Sequence, residues 1–330
     1  MTGHATITAV GGYVPEDVLT NFDLEKMVDT NDEWIRTRTG IRERRIVSEG
    51  QATSDLAIAA AKSMFEEYDI DPETIDAIVV ATVTPDMFFP STGCIIQNAI
   101  GAKNAWAFDL SAACSGFLYA LDTAARFVES GRSKRVLVVG ADTMSSITDY
   151  SDRNTCILFG DGAGVVLIEP AEQDGVGILD SVLYTDGSGG KYLYMPGGGS
   201  LNPPTHQTVD ENLHTLRQDG RTVFKYAVNG MANVSIEILE RNNLTGDDIG
   251  LFIPHQANKR IIDAAARKMG LREDQVVINI DKYANTTAAT IPLGLYDSLK
   301  DGRVKNGDYI VLSTFGAGFT WGATLIHWGK

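Results

Sequence analysis

Residues 101–139 and 270–312 follow the same order of elements. The first reads Gly101, short loop, strand (Ala105–Leu110), a turn of small residues (Ser111-Ala112-Ala113), helix, Gly131, basic residues, strand. The second reads Gly270, short loop, strand (Val276–Ile280), a turn (Tyr283-Ala284), helix from about Asn285, Gly302, basic residues, strand (Tyr309–Leu312). The upstream strands match as well, Ile75–Val83 with Ile249–Pro254. A chain that repeats itself on this scale is held to few folds, because each half has to bury the same faces in the same way. The spacing predicts two similar halves, 1–175 and 176–330. Length agrees, since 330 residues exceed what one hydrophobic core usually sustains.

Within the halves, apolar β-branched runs alternate with helical periodicity, which makes the fold class α/β with layered sheets and helices. Arg135–Val139 and Val165–Ile168 read as further strands. Ser54–Tyr68 and Cys114–Val128 read as helices, the second with Phe117, Leu118, Leu121, Ala125 and Val128 at helical spacing. Gly160-Asp161-Gly162-Ala163-Gly164 has the look of a phosphate-binding loop, but a strand follows it where such a loop needs a helix, so it reads as a tight turn.

Several function classes drop out. The formal charge of −15 leaves no field to attract nucleic acid. The apolar runs are too short to span a bilayer and no basic-then-apolar leader opens the chain, so a cytoplasmic protein without a membrane partner is expected. Three cysteines, Cys94, Cys114 and Cys156, form no C-x-x-C pair, which argues against disulfides and against a structural zinc site.

If the halves are equivalent, Cys114 and Asn285 occupy matching strand-to-helix turns, and His255 ends the strand that matches Ile75–Val83. Chemistry in α/β proteins gathers outside the carboxyl ends of strands. Cys114 in Ser111-Ala112-Ala113-Cys114-Ser115-Gly116-Phe117 would sit where a helix aims its free N–H groups, a setting that favours thiolate. Each residue has an ordinary reading too: a small buried hydrophobe for Cys114, a satisfied core histidine for His255, a helix cap for Asn285. Their coincidence on one predicted face is what points to a site. Phe315-Gly316-Ala317-Gly318-Phe319 adds a glycine loop able to bring backbone N–H groups near a substrate carbonyl.

These segments, with Asn31-Asp32-Glu33-Trp34-Ile35, Thr37-Arg38-Thr39-Gly40-Ile41, Phe159–Gly164, Ile253–Asn258, Asn285–Pro292 and Phe315–Gly322, resemble the 3-oxoacyl-[acyl-carrier-protein] synthase III family over nearly the whole length. The resemblance implies the thiolase-like fold, layered α-β-α-β-α. It departs at Ala284 and Ala317, where the family has glycine; the first is expected to tighten the turn before Asn285, the second to be harmless where only an N–H is needed.

The resemblance also implies a mechanism. Cys114 would take an acyl group, with acetyl the expected primer, from coenzyme A, and malonyl-carrier protein would lose carbon dioxide to give an enolate that attacks it. His255 and Asn285 would donate hydrogen bonds during decarboxylation, and the N–H groups of Cys114 and Ala317 would form the oxyanion hole. Trp34 and Arg153 would hold the adenine of coenzyme A, with Thr30 and Arg38 at its polar parts. Phe159 would line the acyl pocket, and Phe89 would reach into that of a partner subunit in a homodimer. Lys225, Lys259, Arg260, Arg267 and Lys268 would dock an acidic acyl carrier protein. No metal or redox cofactor is implied. A related synthase of secondary metabolism, or an inactive module binding coenzyme A or carrier protein, would share much of this pattern.

Overall fold

The computed structural model describes residues 4–329. Two mixed sheets are built on one plan. The first contains β1 (Ala5–Tyr13), β2 (Ala77–Ala81), β3 (Trp106–Leu110), β4 (Val136–Thr143) and β5 (Asp161–Pro170), in spatial order β1-β5-β4-β2-β3. The second contains β6 (Gly177–Thr185), β7 (Ile249–Pro254), β8 (Tyr309–Gly316) and β9 (Thr320–His327), in order β7-β8-β9-β6. In each, a parallel pair (β2 with β4, β7 with β8) is followed by two antiparallel pairings.

Side-chain alternation along these strands sets the layers. Ala77, Val79 and Ala81 of β2 face inward with Leu251 and Ile253 of β7, and between the sheets lie helices Gly116–Glu129 and Thr290–Lys300. Ile78 and Val80 face outward onto helices Thr53–Tyr68 and Thr92–Ala99. The outer face of the second sheet is covered by Gly220–Arg241 and Lys259–Met269. The result is α-β-α-β-α.

Two sequence expectations are corrected. Val276–Ile280 is no strand: Val276 makes one bridge to Phe252, and the N–H groups of Asn279 and Ile280 go to the side-chain oxygen of Gln256 at 3.1 and 3.2 Å. A side chain has taken the donors that a ladder would need. Gly160–Gly164 is not a tight turn either, because residues 161–164 open β5 and pair with β4, and Ala163 and Gly164 pair with β1 as well. Glycine is required there for contact. A Cβ on Gly164 would lie 2.6 Å from Pro292 of the central helix.

The layers are locked by Asp142 of β4, which is fully buried with no basic partner among the described residues. One oxygen accepts from the Val83 and Thr84 N–H groups (2.8 and 3.2 Å) and from the Thr82 and Thr84 hydroxyls, and the other accepts from the Ala288 N–H at 3.1 Å. Burial pushes its carboxyl up to about 6, against the pull of these donors. Asp142→Asn keeps the shape but turns an amide donor onto an N–H. A loss of about 1–3 kcal/mol, read as a lower thermal midpoint, is the expected result; unchanged stability would mean that the bond to Ala288 is dispensable.

Candidate active site

Cys114, His255 and Asn285 line one cavity of about 490 Å³. Each arrives by a separate constraint. Cys114 lies in a short 3-10 turn, Ala113–Ser115, ahead of the central helix. That turn is stitched to the other half: the Thr314 hydroxyl donates to the Cys114 carbonyl (2.9 Å), Ser115 to the Thr320 carbonyl (3.0 Å) and Thr320 to the Ala112 carbonyl (3.1 Å). His255 follows β7, with its N–H on the Ser313 carbonyl at 2.8 Å and its Nδ1 2.7 Å from the Thr290 hydroxyl. Its Nε2 is buried and has no partner among the described residues.

Asn285 is pinned as a bridge to Phe159: its N–H donates to Leu158 at 3.0 Å and its carbonyl accepts from Gly160 at 3.1 Å. Gly160 has to lack a side chain, since a Cβ would lie 2.5 Å from the Tyr283 carbonyl. The Asn285 side-chain oxygen accepts from the Thr287 N–H at 2.9 Å, so its NH₂ is the end left to donate. Around these turns Ala113, Ala284 and Thr287 carry φ of 47°, 57° and 51°. With ψ at −151°, Ala284 occupies backbone space that glycine normally fills, so this departure adds strain rather than tightness. Ala317 keeps a negative φ and costs nothing.

The electrostatics correct one expectation. Cys114 is not poised as a thiolate: burial, then the Asp142 carboxylate, push its thiol up to about 12, opposed only by its own backbone N–H. The regular helix starts two residues later, at Gly116, so Cys114 does stand at its positive N-terminal end as the sequence reading expects, but burial outweighs that pull. Burial alone drives His255 down to about 3, so thiol and imidazole are both neutral at neutral pH.

A second, apolar cavity of about 150 Å³ also opens on Cys114, lined by Met144, Ile147, Phe159, Leu193, Leu216 and Ala317 among others. The larger cavity runs outward past Gln218 and Phe224 to Trp34, Arg38 and Arg260. Arg153 lies beside this mouth, its guanidinium 5.1 Å over the Trp34 ring and 3.3 Å from Asp29. Thr30 is half-buried just before the helix Asp32–Thr39 that carries Trp34 and Arg38, and its hydroxyl has no partner among the described residues. Phe89 lines neither cavity and stands 85 % exposed, because its loop projects from the surface.

Arg260, on the helix beginning at Lys259, sits over Phe224 at 4.7 Å, and Arg267 is exposed one face-length further on. Lys225 is exposed on the neighbouring helix, where Lys268 bonds to Asn233. Lys259 contributes least to a basic patch, as Asp263 pairs with it at 2.8 Å. Sequence reasoning missed Asp142, Gln218 and Thr290. None stands in a motif that singles out its side chain, and only the fold shows their partners or lack of them.

Residues 108–187 match the family model 3-Oxoacyl-[acyl-carrier-protein (ACP)] synthase III, and residues 239–328 match its C-terminal companion. The curated beta-ketoacyl-[acyl-carrier-protein] synthase III of Koribacter versatilis is 55% identical over 325 residues, 98% of either chain. The chain belongs to the 3-oxoacyl-[acyl-carrier-protein] synthase III family. Among solved members, the Aquifex aeolicus synthase III superposes with a TM-score of 0.91 at 46% identity, covering 98% of this chain and 100% of that one. The priming beta-ketosynthase of a polyketide biosynthetic pathway gives 0.92 at 35%, covering 100% and 97%.

In this family member the raised thiol has a direct consequence. Because Cys114 is held as the thiol well above neutrality, its alkylation by iodoacetamide in the free enzyme should accelerate about tenfold per pH unit between about pH 7 and pH 9. A plateau inside that interval would show a stabilised thiolate instead.

Proposed function

We propose that this chain carries out the initiating condensation of fatty acid synthesis, joining a short acyl group from acyl-CoA to malonyl-carrier protein to give 3-oxoacyl-carrier protein, CoA and carbon dioxide. The observation that carries this reading is one thiol at the junction of two cavities, a long one with an aromatic and basic mouth and a small apolar one. A thioester arm fits the first and a short acyl chain the second. The tight apolar pocket supports a short primer such as acetyl.

In the first half-reaction Cys114 Sγ bonds to the acyl carbonyl carbon, the carbon–sulfur bond to CoA breaks, and the thiol proton leaves with CoA. In the second, malonyl's carboxylate leaves as carbon dioxide and its bonding electrons pass into an enolate. His255 Nε2 and the Asn285 NH₂ donate to the thioester oxygen that becomes negative. The enolate carbon attacks the acyl-Cys114 carbonyl, whose oxygen is met by the N–H groups of Cys114 and Ala317, and the departing sulfur takes a proton from solvent. These steps require no metal or redox group. Trp34 and Arg153, with Thr30 and Arg38, hold the nucleotide end of CoA; the guanidinium now covers the Trp34 ring at 5.1 Å, too close for a planar base between them, so Arg153 swings out as the adenine stacks in.

A homodimer is part of this reading. The edge strand β3 has no neighbour on its outer side, with Trp106 partly exposed, and Met87, Phe88 and Phe89 are exposed beside one another in sequence. An open edge next to apolar side chains calls for cover, and a second copy supplies it while placing Phe89 at the partner's acyl pocket. No helix among the described residues is long and apolar enough to cross a membrane, in keeping with a cytoplasmic enzyme.

Incubation with radiolabelled acyl-CoA tests the core of the proposal. Cys114→Ser should abolish labelling, while Cys94→Ser and Cys156→Ser retain it; equal labelling of the three would end the assignment. His255→Ala and Asn285→Ala should still be labelled but lose malonyl decarboxylation by about a hundredfold or more. Collapse of both half-reactions in folded protein would make these residues activators of the thiol.

Carrier docking is tested separately. The Arg260→Glu, Arg267→Glu double variant should raise KM for malonyl-carrier protein at least about tenfold while leaving that for malonyl-CoA nearly unchanged, since only the protein donor spans the surface. Equal losses with both donors would move these arginines to the CoA entrance.

A further inference from the structure

A histidine driven down to about 3 poses a difficulty for the reaction just described. It cannot lend an imidazolium to a developing enolate at neutral pH, and a neutral ring has a single N–H. Donation toward the cavity therefore needs that hydrogen on Nε2, which in turn leaves Nδ1 as a bare lone pair. A buried lone pair has to be met by a donor.

We propose that Thr290 is the positioning residue of this site, its hydroxyl donating to His255 Nδ1 and so fixing the neutral tautomer whose Nε2–H points at the substrate. The inference rests on the function proposed above. Thr290 and His255 are each 2 % exposed, and Oγ1 lies 2.7 Å from Nδ1. The hydroxyl has one hydrogen and a second acceptor in reach, the Thr287 carbonyl, at a longer 3.2 Å. The reverse arrangement, Nδ1–H to Oγ1 and the hydroxyl on to Thr287, would face the cavity with a lone pair and give the enolate no donor, so the hydroxyl hydrogen goes to Nδ1. Nε2 has no partner among the described residues, and His255 lines the cavity shared with Cys114 and Asn285, which is where a donor is wanted.

The same turn orients the other donor. The Thr287 N–H holds the Asn285 side-chain oxygen, which turns its NH₂ outward, and three residues later Thr290 holds the imidazole. One backbone segment, 285–290, thereby aims both hydrogen bonds at the enolate oxygen. Thr290 itself touches no substrate and acts only through His255.

Thr290→Val keeps the branched shape and removes the hydroxyl; Thr290→Ser restores it. Decarboxylation of malonyl-carrier protein should fall about ten- to a hundredfold in the valine variant, less than or equal to the loss of a whole oxyanion donor, and recover in the serine variant. Labelling of Cys114 by acyl-CoA should persist in both. Nitrogen-15 spectra of histidine-labelled wild-type enzyme should show Nδ1 as the unprotonated nitrogen and Nε2 as the protonated one. The opposite tautomer in the wild type, or wild-type decarboxylation by Thr290→Val, overturns the proposal. Should the valine variant not fold, the wild-type spectrum and the serine variant still decide. If wild-type enzyme were not labelled by acyl-CoA at all, the fault would lie with the proposed function, not with Thr290.

Discussion

A carboxylate sealed between two sheets must have its lone pairs filled, and at Asp142 the donors come from both halves of the chain. The Val83 and Thr84 N–H groups belong to the segment after β2, and the Ala288 N–H to the turn that carries Asn285. The price of leaving any of them unpaired is a full desolvation penalty, so the halves are held at one spacing. That spacing brings the Cys114 turn against Gly316, where a Cβ would lie 2.9 Å from the Cys114 nitrogen. The cavity, its three polar residues and the strained backbone around them all depend on this contact between halves.

Neither the thiol nor the imidazole carries charge in the resting site. Burial pushes the thiol up, with the Asp142 carboxylate adding to it, burial drives the imidazole down, and neither has a counter-ion. A reaction that passes through an enolate and a tetrahedral oxyanion then creates its charges in a dry, preoriented setting, where fixed N–H groups count for more than they would in water. A preformed thiolate would be the harder species to bury. Neutral donors whose orientation is set by neighbours suit this environment better than ion pairs.

Much of the architecture is legible in the sequence because hydrophobic period and turn residues are local. The strands Trp106–Leu110 and Ile249–Pro254 stand where their apolar runs place them, and the segments of Cys114 and Asn285 each lead through a short 3-10 turn into a helix between the sheets. Val276–Ile280 fails because Gln256, about twenty residues upstream, takes its donors. The glycines of 160–164 look like a turn but answer to Pro292 and Tyr283, contacts that no local pattern contains. The thiolate expectation fails similarly, since a motif shows where a helix begins but not how deeply a sulfur is buried. Asp142 and Thr290 were illegible because their importance lies wholly in partners that are distant in sequence or hidden by the turn.

The two cavities have different authors along the chain. The turns that hold Cys114, His255 and Asn285 are tied to both sheets, whereas Leu193, Met195 and Leu216 come from the 193–216 excursion and its two-residue ladder, and Met144 and Ile147 from the segment after β4. Side chains on that excursion can change size without disturbing any bond that orients the thiol or its donors. Under the proposed reaction, selection can thus retune which acyl group is accepted while the thiol and its donors stay fixed, in keeping with the fold shared with a priming beta-ketosynthase of a polyketide pathway. The division of labour between rigid turns and a replaceable lining makes this scaffold an economical starting point for new chain-starting specificities.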